Sequence, residues 1–199
     1  MAYSKLLGQL ISALQCLPGV GAKSAQRMAF SLLEQQRHDA RNLSAVLLDA
    51  VENIKHCEQC RNLSETTLCD ICNSASRNAS VICVVESPAD VQAFEDATNF
   101  SGHYFVLMGH LSPLDGVGPE DLGLDILARM MDENTLSEII LATNPTVEGE
   151  ATAHYVSEMA AKRNIKATRI AHGVPFGGEL EYVNNSTLAL ALNGRSDLN

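Results

Sequence analysis

A chain of 199 residues with 46% hydrophobic content has room for one domain with attachments, or for two small domains. Its longest apolar runs, such as LALAL at 188–192, are too short to cross a bilayer. The start MAYSKLLGQL lacks the basic and apolar blocks of a signal peptide, so a cytoplasmic location is expected. The net charge of −10 argues against a nucleic-acid partner only if it is evenly spread. Residues 1–80 carry eight Lys and Arg against seven Asp and Glu, net +1, whereas residues 81–199 carry six against seventeen, net −11.

Leu6, Leu7, Leu10, Ile11 and Leu14 recur at helical spacing, which predicts a helix over 4–15 capped by Ser4. CLPGVG breaks that pattern, and a second helix resumes at Ser24 with Ala25, Met28, Leu32 and Leu33 on one side. A third is expected over roughly 42–54, from Leu43, Val46, Leu47, Ala50, Val51 and Ile54. Between the first two helices, Gly19 and Gly21 permit backbone angles closed to other residues and leave amides bare at a helix N-terminus, where the dipole favours anions. Lys23 and Arg27, four apart, share a face near that end. Together they can hold a backbone phosphate without reading a base. The stretch LPGVGAKSAQRMAF resembles the helix-hairpin-helix motif, which implies sequence-independent DNA binding through Gly19, Gly21, Lys23 and their neighbours. The alternative is a helical corner that needs glycine only for packing.

Six cysteines without an export signal argue against a disulfide framework. Four of them have the spacing Cys57-x2-Cys60-x8-Cys69-x2-Cys72, which can place four thiolates around one structural Zn2+ with no open position for water. The ion would hold a polar segment, 56–78, that has almost no apolar core. Cys16 and Cys83 lie among apolar residues and are expected to be buried thiols, and His56 is expected at the surface rather than as a ligand.

From residue 81 the pattern changes to alternating strands and helices. VICVV, HYFVLMG, EIILAT and KATRI read as strands, and SPADVQAFEDA, DLGLDILARMM and GEATAHYVSEMAAKR as helices, with Ser87 as cap and Pro88 at the first helical position. That alternation predicts an α/β domain with a largely parallel sheet. A glycine-rich loop at 171–181 and a final helix NSTLALALN close the chain. The expected divisions are 1–55, 56–78 for the zinc segment, 79–170 for the α/β domain and 171–199 for a C-terminal, oligomerising segment.

Glu86 in VVESPAD stands at the carboxyl end of a strand, where open α/β sheets place ligands, and ILATNPTVEGEATA supplies a second strand end. Both segments resemble the Toprim domain of topoisomerases, primases and related nucleases. Glu86 matches that family's glutamate, and Glu148, Gly149 and Glu150 match the residues after its two metal-binding aspartates. Asn144 and Thr146 stand in the aspartates' places. Asn and Thr offer neutral oxygens, so Mg2+ is not expected, although Glu86, Glu148 and Glu150 could still form a weak site. No catalytic residue is assigned. The alternative is a Toprim-type metal-dependent nuclease or topoisomerase-like enzyme.

The order of parts resembles the RecR family of bacterial recombination mediators over nearly the whole chain. The tail HGVPFGGELEYVNNSTLALALNGR fits that family's end segment, and no GxxxxGK[ST] occurs, which excludes nucleotide hydrolysis by a P-loop. The resemblance implies a non-enzymatic role in recombinational repair at the nucleoid. It implies work with RecO and RecF to load RecA on single-stranded gaps coated by single-strand-binding protein, and a homo-oligomer from dimer to tetrameric ring. The acidic neighbourhood of Glu86, Asn144, Glu148 and Glu150 is then a candidate docking face for a basic partner such as RecO.

Overall fold

The computed structural model describes residues 3–133, 136–171 and 173–195. His172 of the glycine-rich loop and residues 196–199 of the expected C-terminal segment lie outside the described residues. The chain divides into two compact units, Met1–Ile54 and Lys55–Asn199. No helix among the described residues is long and apolar enough to cross a membrane.

The first unit consists of α1 (Lys5–Leu14), α2 (Ala22–Glu34) and α3 (Arg37–Asn53). Ser4 caps α1 as expected, its hydroxyl accepting the Leu7 N–H at 3.4 Å. α2 begins two residues before Ser24, because Gly21 has the extended angles of an N-cap (φ −81°, ψ 172°). α3 begins at Arg37 rather than near 42. Its first turns, RHDARN, carry no apolar periodicity, yet Asp39 suits the positive end of the dipole. Among the described residues of this unit, Ala25 and Ala29 alone are buried, while Leu43, Leu47 and Val51 are 54%, 60% and 73% exposed. Cys16 is also exposed, contrary to the expectation of a buried thiol. It sits in the turn after α1, on an apolar surface that this unit does not cover.

The second unit opens with a two-residue antiparallel ladder, β1 (Lys55–His56) with β2 (Leu63–Ser64), and the single turn α4 (Asp70–Asn73). Then come β3 (Asn78–Val85), α5 (Pro88–Ala97), β4 (Gly102–Val106), α6 (Leu124–Glu133), β5 (Glu138–Ala142), α7 (Val147–Ala161) and β6 (Lys166–Arg169). The four long strands form one parallel sheet in the order β4-β3-β5-β6. VICVV is apolar throughout because both faces of β3 are covered. Ile82 and Val84 pack with Leu127, Met130 and Val156 from α6 and α7, whereas Cys83 and Val85 pack with Val91 of α5 and Tyr104. β4 ends at Val106 rather than running to Gly109, since Met108 and Gly109 take positive φ (62° and 149°) and turn the chain out of the sheet. α5 starts with a full capping box between Ser87 and Asp90, with Pro88 behind it. After a short 3-10 turn at Leu180–Tyr182, α8 (Asn185–Asn193) begins on an Asn184 cap.

Arg77 clamps the sheet to α5. Its Nη1 donates to Glu95 Oε1 at 2.9 Å and to the Phe100 carbonyl at 3.0 Å, and Tyr104 Oη donates to the same carboxylate oxygen at 2.7 Å. The hydrogen bond from Arg77 holds the Glu95 carboxyl below its ordinary 4.5. A lowered carboxylate stabilises the fold above its unfolded pKa, and that contribution fades as pH falls through the folded value. Glu95→Gln is therefore expected to lower the thermal midpoint near neutral pH. The gap to the parent should narrow as the solution is acidified below 4.5, read by thermal denaturation across a pH series.

Candidate functional site

Three constellations carry chemistry. The first is the cysteine cluster. Cys57 and Cys60 flank the first turn of the zinc segment, and Cys69 caps α4 with Cys72 inside it. All four sulfurs lie within 4.8 Å of one another, and Cys60 Sγ is 3.6 Å from Cys69 Sγ. A tetrahedron with Zn–S near 2.3 Å has edges of about 3.8 Å, so the set fits a closed zinc site. The protons fit as well. A hydrogen bond from Cys72 lowers the Cys60 thiol to about 6, whereas burial pushes Cys69 up to about 11. Hydrogen bonding with Cys60, followed by burial, pushes Cys72 upward too. One thiolate forms readily and its neighbours resist a second charge, which is what a dication relieves. His56 is exposed and its ring faces the Arg61 carbonyl (Nδ1 to O, 3.0 Å), outside the sulfur cluster.

The second is the helical corner. Gly19 has φ +78°, in the left-handed region that favours glycine. Gly21 does not, and a Cβ built there would meet nothing within 4 Å among the described residues. Packing within this unit therefore explains neither its bareness nor the absence of a side-chain cap on α2. Lys23 in the first turn and Arg27 one turn on are both exposed.

The third is the paired strand ends of β3 and β5. Glu86 is 6% exposed, and both of its carboxylate oxygens accept from one residue: Oε1 from the Asn144 backbone N–H at 2.8 Å, Oε2 from the Asn144 side-chain amide at 2.7 Å. His110 Nδ1 stands 3.5 Å from Oε2. Thr146 caps α7, accepting the Gly149 N–H at 3.1 Å, and Glu150 pairs with Arg169 at 2.9 Å. Glu148 is exposed in the first turn of α7. Gly149 is required for closeness: a Cβ there would run into the Asn144 carbonyl and Glu86 Oε1.

Comparison with known proteins covers the chain almost end to end. Family profiles match residues 7–51 (RecR, helix-hairpin-helix), 54–74 (RecR, four-cysteine zinc finger domain), 80–171 (Toprim domain) and 173–196 (RecR, C-terminal). The chain is 57% identical over 196 residues to the recombination protein RecR of Saccharophagus degradans, covering 98% of this chain and 100% of that one. This chain belongs to the RecR family. Membership supports a role in recombinational repair, and the four-cysteine zinc finger of the family is the cluster described above.

The fold brings the four cysteines together and sets Glu86, Asn144 and the first turn of α7 around one pair of strand ends. Several residues of this RecR-family chain that sequence reasoning passed over bear on these sites. Arg169, His110 and Thr143 gather at the strand ends through tertiary contacts and carry no motif. Thr143 donates to the Gly149 carbonyl at 2.8 Å. Arg61 matters most for the zinc segment. It follows Cys60 directly with φ 64° and reaches the carbonyls of Leu107 and Asp121 at 3.2 Å and that of Leu122. Its guanidinium lies 6.0 Å from the Phe105 ring centroid. The Cys60 carbonyl accepts the Val106 N–H at 2.8 Å, so the zinc segment closes the outer edge of β4. In the sequence its only sign is an Arg beside a ligand; in the structure Gly123 (φ 66°) packs so close that a side chain there would strike the guanidinium.

Arg61→Ala leaves those carbonyls without a charged donor. It is expected to cost about 2 kcal/mol in chemical denaturation, with one zinc per chain retained by elemental analysis. Arg61→Lys should recover little, because a point charge cannot fork between the carbonyls.

Proposed function

We propose that this chain is a non-enzymatic DNA-binding recombination mediator. In this reading it acts with RecO, and with RecF where present, to promote RecA loading at single-stranded gaps coated by single-strand-binding protein, in the cytoplasm at the nucleoid. The observation that carries the DNA part is the corner at 18–21: an uncapped helix N-terminus, a glycine whose bareness serves nothing inside its unit, and two exposed cations four residues apart. Such an arrangement suits a phosphate and reads no base. With aromatics at 5% and no Trp, base stacking is a poor alternative source of affinity.

Oligomerisation is supported by the surface that the first unit leaves open. An apolar groove of about 720 Å3 is lined by Leu14, Leu17, Leu33, Leu43, Leu47 and Val51 among others. The first unit by itself does not cover this apolar lining, and a second copy of this chain is the occupant we assign. The C-terminal segment adds exposed Phe176, Leu180 and Tyr182. Dimers to a tetrameric ring would present several weak phosphate grips at once, so an acidic chain gains DNA affinity through effective concentration. The first turn of α7, with exposed Val147, Glu148 and Glu150, is the docking face assigned to a basic partner such as RecO. Glu86, being buried, would serve that face by shaping it.

Lys23→Ala combined with Arg27→Ala is expected to weaken DNA binding without unfolding the chain. Each lost phosphate contact should flatten the slope of log affinity against log salt by about 0.9 on duplex or about 0.7 on single strands. An unchanged slope would remove the corner from the DNA site. Metal-dependent cleavage of labelled DNA by the pure chain, abolished by Glu86→Ala, would overturn the non-enzymatic reading.

Leu47→Asp with Val51→Asp is expected to lower the molar mass measured by light scattering by at least one step of assembly. Zinc content and sheet structure should stay intact.

A further inference from the structure

A Toprim-type divalent cation does not fit the strand ends of this chain, and the donors that displace it are visible. An ion at such a site takes oxygen ligands, about six for Mg2+, from converging carboxylates, carbonyls and water. Here Glu86 offers neither oxygen freely. Asn144 donates its backbone N–H to Oε1 at 2.8 Å and its side-chain amide to Oε2 at 2.7 Å. Of the two carboxylates in the first turn of α7, Glu148 is exposed, and Glu150 faces the Arg169 guanidinium at 2.9 Å; Arg169 also reaches Thr143 Oγ1 at 3.4 Å. The Thr146 hydroxyl is engaged as the cap of α7.

We infer that Asn144, with Arg169 occupying Glu150, stands in for the cation, clasping Glu86 so that β3 and β5 are joined at their ends without metal. The chemistry turns on one atom. With aspartate at 144, the group 2.7 Å from Glu86 Oε2 becomes a carboxylate oxygen in place of an N–H donor. Two carboxylate oxygens at that distance repel unless a cation or a proton lies between them. Asparagine has nearly the same shape and reverses the sign of the interaction. Gly149 keeps the start of α7 close enough for the clasp to close, since a Cβ there would strike Glu86 Oε1 and the Asn144 carbonyl. The inference is independent of the phosphate grip at residues 18–21, and its test reads cation binding rather than DNA binding.

The test uses the full zinc-loaded chain in buffer stripped of other divalent ions, with Mn2+ as probe. Binding is followed by the electron paramagnetic resonance of free Mn2+, and thermal unfolding is recorded with and without the ion. The parent is expected to bind Mn2+ weakly and to keep its midpoint. Asn144→Asp should lower the midpoint in stripped buffer, bind Mn2+ at least about tenfold more tightly, and recover several degrees once Mn2+ exceeds its dissociation constant about a hundredfold. Asn144→Ala should lose midpoint like the aspartate variant but gain no Mn2+ binding and no rescue. Equal Mn2+ affinity in parent and Asn144→Asp would overturn the inference, as would a folded Asn144→Asp that binds none. Should Asn144→Asp fail to fold with or without Mn2+, Asn144→Ala decides: an unchanged midpoint there means the clasp holds nothing, and the inference falls.

Discussion

Four sulfur atoms within 4.8 Å of one another cannot all carry charge without a cation among them, and the second unit is arranged around that constraint. The segment from Lys55 to Asn73 has two-residue strands, one helical turn and a core made chiefly of its own cysteines. Nothing there is large enough to fold by burial, so the metal supplies the cohesion. Once formed, the segment closes an open problem of the sheet. β4 lies at the edge of the order β4-β3-β5-β6, and its outward Val106 N–H is satisfied by the Cys60 carbonyl. Arg61, one residue on, extends the same contact to the loop after β4 by gathering carbonyls from both of its ends.

That loop leads to the carboxyl ends of the strands, where open α/β sheets place ligands. The Gly109 N–H donates to the Glu86 carbonyl at 2.9 Å, and the Leu111 N–H donates to the buried Thr152 hydroxyl at 2.9 Å. The zinc segment, the 107–123 loop and the Glu86 pocket are thus consecutive pieces of one bonded structure. The pocket at its end has the outline of a cation site with the charges rearranged. An amide from the chain itself meets Glu86 and a guanidinium meets Glu150.

The first unit follows the opposite rule. It buries almost nothing of its own, with two alanines at its centre and a row of leucines and valines left to solvent. That is the surface which the proposed assembly of copies would cover. The acid is concentrated after residue 80, away in sequence from Lys23 and Arg27, so the cations at the corner are not diluted by carboxylates along the same stretch.

Much of this was legible in the amino-acid order because it is local. Helical periodicity, the Ser87 and Pro88 start of α5, the two-sided apolar run of β3 and the paired C-x2-C spacing each depend on residues a few positions apart. Their outcome is set by backbone geometry and ligand reach. Starts that rest on polar turns, such as that of α3 at Arg37, gave no apolar signal to read. The fate of Cys16 was decided by what a neighbouring surface fails to cover, and the clasp of Asn144 on Glu86 by two residues 58 apart meeting at adjacent strand ends. Composition can mark Asn144 as an uncharged residue in an acidic place. That its amide donates to the buried carboxylate, while Arg169 meets Glu150 beside it, depends on distances that exist only after the sheet has aligned its strands.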